Sequence, residues 1–193
     1  MHDVPKGELG RKAIHYTTLL IPLIYYLFIE KEQAIWMLIV LSTGMLVADL
    51  FRINVPFFKA LYNRYFGERT RPHEHQKHLT GATYLFLGAL LVVSLFSKEI
   101  AVIAMFFLTV GDPSACLVGI SFGRIKIMRN KTLEGSMAFI LAGLAATWWI
   151  PGVSLQVKIL GVCAASLIEL LLWRLDDNIT IPFFSALLMY YLI

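Results

Sequence analysis

The chain has 193 residues, 58% of them hydrophobic and 16% charged, with a net charge of +4 and a mean hydropathy of +0.70. So few charges cannot coat a water-soluble domain of this size, and the apolar residues come in blocks of about 20, the length that crosses a bilayer. Cys116 and Cys163, both inside apolar runs, read as packing residues rather than a disulfide or a metal site.

In chain order, seven apolar segments stand out, at 13–29, 34–51, 79–97, 99–119, 134–150, 154–174 and 180–193. Each is expected to be helical, because backbone facing lipid must satisfy its own hydrogen bonds. Between the second and third, residues 54–66 mix Phe57, Phe58, Leu61, Tyr62 and Tyr65 with Lys59 and Arg64. That pattern suits an amphipathic helix lying on the membrane surface. The polar start, Met1–Lys12, and the lack of a small-residue site after the first apolar run argue against a cleaved signal peptide. The expected fold is all-α, a polytopic transmembrane bundle of about seven helices plus one interfacial helix, forming a single integral membrane catalytic domain over 1–193. Of the 17 lysines and arginines, all but Lys31, Lys98 and Lys158 fall on one side when loops are assigned alternately. The positive-inside rule then puts the N-terminus in the cytoplasm and Ile193 outside. The outer turns are minimal, so function is expected on the cytoplasmic face of a multi-pass protein, in a prokaryotic plasma membrane or an endoplasmic reticulum.

Five constellations lie on that face. Glu8, Arg11, Lys12 and His15 sit three or four apart and share one side of a helix. Arg11 and Lys12 alone would pass for a snorkelling anchor, but His15 lies a turn deeper, where a polar group is costly without a task. Asp49 with Arg52 is either a structural i, i+3 pair or part of a site. The run Arg69–His78 holds His73, His75 and His78 at no standard zinc spacing, and reads better as a basic loop suited to phosphate; Thr80 after it is a candidate helix cap.

The fourth constellation is the densest. Asp112 lies inside an apolar segment, Pro113 weakens the helix there, and Gly119, Gly123 and Gly135 permit close backbone approach. Arg124, Lys126, Arg129 and Lys131 add positive charge. Thr132 is a candidate cap whose helix N-terminus, with Ser136 in its first turns, would form a phosphate cradle. Asp112 and Glu134 beside such a cradle suggest a divalent ion bridging phosphates. No Walker A loop is present. The fifth joins Glu169, inside an apolar run, to Asp176, Asp177 and Asn178; several acids on one face suggest metal ligation or a general base, with Asp177 or Asn178 alternatively capping the last helix.

Together, Glu8, Arg11-Lys12, His15, Gly111-Asp112, Ala115, Gly119, Phe122-Gly123, Lys126, Lys131 through Ser136, Asp177-Asn178 and Pro182 resemble the CTP-dependent lipid kinases, which include diacylglycerol, dolichol and phytol kinases. The resemblance runs through nearly the whole chain in order. It implies transfer of the γ-phosphoryl of CTP to a membrane lipid alcohol (diacylglycerol, a phytol-like isoprenol or a polyprenol), releasing CDP. It implies Gly119, Gly123, Lys126, Lys131, Thr132, Gly135 and Ser136 around the nucleotide. Asp112, Glu134, Asp177 and Asn178 become candidates to hold Mg2+. Arg11 and Lys12 would neutralise the transferring group, and His15, Asp49 or Glu169 would take the alcohol proton. CTP, the lipid alcohol and membrane lipids are the expected partners, and nucleic acid is not. Phosphatidate cytidylyltransferases share the Gly-Asp to Glu-Gly-Ser block more loosely, but their longer acidic C-terminal signature is missing. A transporter would need midplane and outer polar residues and an inverted repeat, which the sequence lacks.

Overall fold

The computed structural model describes residues 6–66, 78–128, 131–171 and 175–193. These are almost entirely helical: α1 (Lys6–Thr17), α2 (Leu20–Phe28), α3 (Lys31–Asn54), α4 (Pro56–Phe66), α5 (Gly81–Leu95), α6 (Lys98–Phe106), a π-helical turn (Phe107–Gly111), α7 (Asp112–Phe122), α8 (Leu133–Thr147), α9 (Leu155–Leu171) and α10 (Asp177–Leu192). A two-stranded antiparallel hairpin, β1 (Lys126–Met128) and β2 (Lys131–Thr132), precedes α8.

Among the described residues, two helical stretches are long and apolar enough to cross a membrane, Lys31–Asn54 with 24 residues and the continuous Lys98–Phe122 with 25. They differ in setting. The second has 78% of its apolar window buried and runs through the middle of the molecule, whereas the first has 22% and turns Trp36, Val40 and Phe51 outward. The core gathers around the central stretch: Ala101 to Ala104 and Phe107 are fully buried, with Val92, Phe139, Val162, Ile181 and Met189 packed about them.

Local chemistry explains the breaks. The first apolar segment is divided after Thr17, although the sequence reads there as one run. The hydroxyls of Thr17 and Thr18 donate to the carbonyls of Ile14 and His15, and Pro22 lacks the N–H that would continue the ladder back to Thr18. α3 stops before Pro56 because Val55 must stay extended ahead of a proline (φ −112°, ψ 115°), and Pro56 then opens α4. Pro182 lies inside α10 and cannot bond the carbonyl of Asn178. That carbonyl faces Gly88 of α5, where any Cβ would sit 2.2 Å from it, so the two helices meet only because residue 88 has no side chain.

The central stretch and α8 form an antiparallel pair with a small-residue seam. Ala115 faces Gly135, and Gly119 and Gly123 face Thr132; beyond them Val162 and Phe107 close on Gly143, and Met189 and Phe107 on Gly161. Residues this small let the two helix backbones approach closely, and that contact supplies the packing. At the opposite end, three lysines satisfy helix C-termini. Lys31 donates to Phe96 O at 2.8 Å, Lys98 to Ile29 O at 2.8 Å, and buried Lys158 to Thr147 O, Trp148 O and Ile150 O. Cations there meet the negative end of the helix dipole and orphan carbonyls together.

Candidate active site

Asp112 opens α7 directly after the π-helical turn. Pro113 cannot supply the N–H of a regular helix, and a widened turn just before it is the local accommodation; such turns frequently mark functional positions. The carboxylate is buried, its side chain 7% exposed, and Lys12 Nζ donates to Oδ2 at 2.7 Å. His15 Nδ1 lies 3.4 Å from the same oxygen. Their i, i+3 spacing on α1 therefore does what the pattern suggested, presenting both groups to one point. A further link holds the two helices: Tyr16 Oη is 2.8 Å from Ser114 Oγ, which donates to Val110 O in the π-helical turn at 2.7 Å. Tyr16 and Ser114 carry no signal by residue type, although Tyr16 stands one turn from Lys12.

Lys131 is a second lysine near enough to act on Asp112 through space. It reaches from β2, half exposed, to an ion pair with the buried carboxylate of Glu169 on α9. The first, fourth and fifth constellations thus converge, through residues up to 157 positions apart in sequence (Lys12 and Glu169), on one charge network.

The flanking residues are placed as follows. Thr132 caps α8, its Oγ1 accepting from Gly135 N at 3.2 Å. Glu134 turns back to the hairpin, both oxygens 3.3 Å from Ile125 N. Gly119, Gly123 and Gly135 line the α7–α8 seam. Lys126 is exposed on β1, and Ser136 Oγ is buried with no hydrogen-bond partner among the described residues. The cap of α10 is Asp176, not Asp177 or Asn178: its carboxylate accepts from Asn178 N at 2.9 Å and Asn178 Nδ2 at 2.7 Å. Asp177 is the first residue of α10. Among the described residues, no three His, Cys, Asp or Glu side chains are grouped to hold a metal ion. Asp112, Glu134, Asp177 and Asn178 are thus not assembled as a protein cage for Mg2+. The side chains of Glu8 and Arg11, and the loop holding His73 and His75, lie outside the described residues.

Asp49 stands apart from the network. It accepts from Arg52 Nε (2.8 Å), Thr80 N (2.7 Å), Thr80 Oγ1 (3.0 Å) and Thr83 Oγ1 (2.6 Å), while Arg52 also donates to His78 O at 2.6 Å. Thr80 sits at the cap position of α5, but its hydroxyl serves Asp49 instead of the helix. Asp49 thereby ties α3 to the start of α5.

A buried acid bracketed by lysines, beside a capped helix N-terminus and a basic hairpin, is a setting for a polyphosphate. The chain is 31% identical to CTP-dependent diacylglycerol kinase 1 of Saccharomyces cerevisiae, across 96% of this chain and 73% of that protein. It is 32% identical to the protein of the same name in Schizosaccharomyces pombe, across 96% of this chain and 93% of the relative. The chain belongs to the CTP-dependent lipid kinase family. A third family member, from Eremothecium gossypii, is 30% identical across 98% of this chain and 68% of its own length. No family model matches the chain, and no solved structure matches it.

Proposed function

We propose that the chain is a multi-pass membrane enzyme that transfers the γ-phosphoryl of CTP to the hydroxyl of diacylglycerol, releasing CDP. The observation that carries this reading is the buried Asp112 held by Lys12 and His15, with Lys131 close by, in a chain of this family. Diacylglycerol is taken from the names of the relatives. Those names also favour the kinase over a cytidylyltransferase, which would release pyrophosphate.

Phosphoryl transfer asks little covalent chemistry of a protein; it needs in-line positioning and neutralised charge. In this reading Lys126, Lys131 and the N-terminal amides of α8 receive the phosphates, and Ser136 Oγ, unpartnered and buried, gains an acceptor. Lys12, with Arg11 as the family resemblance implies, neutralises the transferring group. Mg2+ enters as the counter-ion of CTP, since that ion keeps waters and binds mainly through phosphates and one or two carboxylates.

The seven apolar segments, α1 with α2, α3, α5, the central stretch, α8, α9 and α10, form the bundle, α4 lies at the interface, and the whole acts as one catalytic domain. The N-terminus is cytoplasmic. The capping lysines support this orientation: Lys31, Lys98 and Lys158, the cations of the outer turns, each serve helix carbonyls. Asp112 lies ten residues from the cytoplasmic end of its helix, about 15 Å at 1.5 Å per residue. A diacylglycerol hydroxyl, its tails entering sideways from the bilayer, would meet the phosphates between Asp112 and the α8 N-terminus on the cytoplasmic side.

The test is CDP release by purified protein in detergent with MgCTP, with and without diacylglycerol. CDP formation that requires the lipid, and is lost in Lys12→Met, supports the reading. Lipid-independent hydrolysis, or full activity in Lys12→Met, overturns it.

A further inference from the structure

We propose that Glu169 is the base that takes the proton of the lipid hydroxyl, and that its ion pair with Lys131 holds it idle until the nucleotide's phosphates draw Lys131 away. This rests on the kinase reading and deepens it.

The pair is asymmetric. The Glu169 side chain is 4% exposed and fixed within α9, whereas Lys131 is 42% exposed and reaches in from a hairpin of two short strands. The residue after Lys131 is the cap of α8, so Lys131 is anchored next to the amides that would receive a triphosphate while its ammonium reaches to Glu169. A polyphosphate bound there brings several negative charges to compete with one carboxylate for a partly exposed cation. When Lys131 moves, a buried carboxylate loses its compensating charge. An oxygen freed of the ammonium can then accept the hydrogen bond of the lipid hydroxyl, which is the contact a general base requires.

Of the other two candidates, Asp49 is committed to the tie between α3 and α5, where it already accepts from four donors, and His15 to Asp112, to which it turns Nδ1. The step balances without a further reagent. The lipid O–H proton passes to a Glu169 carboxylate oxygen as the lipid oxygen bonds to Pγ. The bond from Pγ to the β,γ-bridging oxygen breaks, its electron pair leaving on CDP. The proton returns to water once CDP departs and Lys131 re-forms the pair. Nucleotide therefore binds before the base is active.

Glu169→Gln removes the competitor for Lys131 without changing side-chain size. Binding of labelled CTP, measured by equilibrium dialysis with Mg2+, is expected to tighten several-fold, while kcat falls about 100-fold or more, the usual worth of a general base. Lys131→Met is expected to weaken CTP binding about 10-fold, and the double variant to bind like Lys131→Met alone, because the two residues act as one unit. A merely structural Glu169 would weaken binding and turnover together, and that result, or retained kcat, overturns the proposal. Infrared difference spectra of the wild-type protein with a non-hydrolysable CTP analogue give a readout that needs no Glu169 variant. A carboxylate change that is absent in Lys131→Met is expected, and the same change in both proteins overturns the exchange. If wild-type protein transfers no γ-phosphoryl, the kinase reading fails and the base assignment fails with it. Tighter CTP binding in Glu169→Gln is read independently of turnover.

Discussion

Replacing Asp49 with alanine should unfold the protein more than it harms the chemistry. The carboxylate, in a residue 3% exposed, accepts from the Arg52 guanidinium, from the first backbone N–H of the α5 region and from two threonine hydroxyls. Alanine leaves those donors without their acceptor, although Arg52 keeps the His78 carbonyl and the face of Tyr62, 5.0 Å from the ring centroid. Removing one member of a buried pair costs about 3–5 kcal/mol. The retained Arg52 contacts place this case toward the lower end, at about 3 kcal/mol. Unfolding in mixed micelles, followed by tryptophan fluorescence against denaturant, measures the loss; kcat per folded molecule should change less than about threefold, a shift of roughly 0.7 kcal/mol. An Asp49→Ala protein of wild-type stability with kcat lowered about 100-fold would show that Asp49 works in the reaction, not as a tie between α3 and α5.

Other substitutions test the packing and the caps. Gly135→Ala puts a Cβ 2.8 Å from the Ala115 carbonyl and should destabilise by about 1–3 kcal/mol, with CTP binding weakened because the α8 cap shifts. Gly44→Ala on α3 meets nothing within 4 Å and should stabilise by about 0.5–1 kcal/mol in the same unfolding assay. Lys158→Met leaves three carbonyls at the end of α8 without their ammonium and should cost about 1.5–3 kcal/mol, with KM for CTP unchanged because the lysine lies at the far end of the fold.

Much of the helical pattern was legible because lipid-length apolar runs and proline positions act locally. The expected segments 34–51, 79–97 and 99–119 became Lys31–Asn54, Gly81–Leu95 and Lys98–Phe122, and Thr132 caps α8 as its position implied. The division between α1 and α2 was hidden, since hydroxyls that bond their own backbone look like ordinary polar residues inside an apolar run. The π-helical turn before Asp112 was foreshadowed only by Pro113. The Asp49–Arg52 pair followed from spacing, but its link to Thr80 and Thr83 spans a loop that no periodicity encodes. The same limit governs the site. Residue types marked Lys12, His15, Asp112, Lys131 and Glu169 one by one. Only tertiary packing shows that Lys12 is spent on Asp112 and Lys131 on Glu169, and that Glu134 closes the hairpin. Tyr16 and Ser114, which register α1 against α7, fall outside any motif because a single hydroxyl pair has no spacing to betray it.

The central claim is tested most directly by offering the purified protein CTP labelled separately at the α and γ phosphates, with diacylglycerol and phosphatidate side by side. Transfer of γ label to diacylglycerol with equimolar CDP is the predicted result. Entry of α label into phosphatidate with release of pyrophosphate, and no γ transfer to any lipid alcohol, would contradict it.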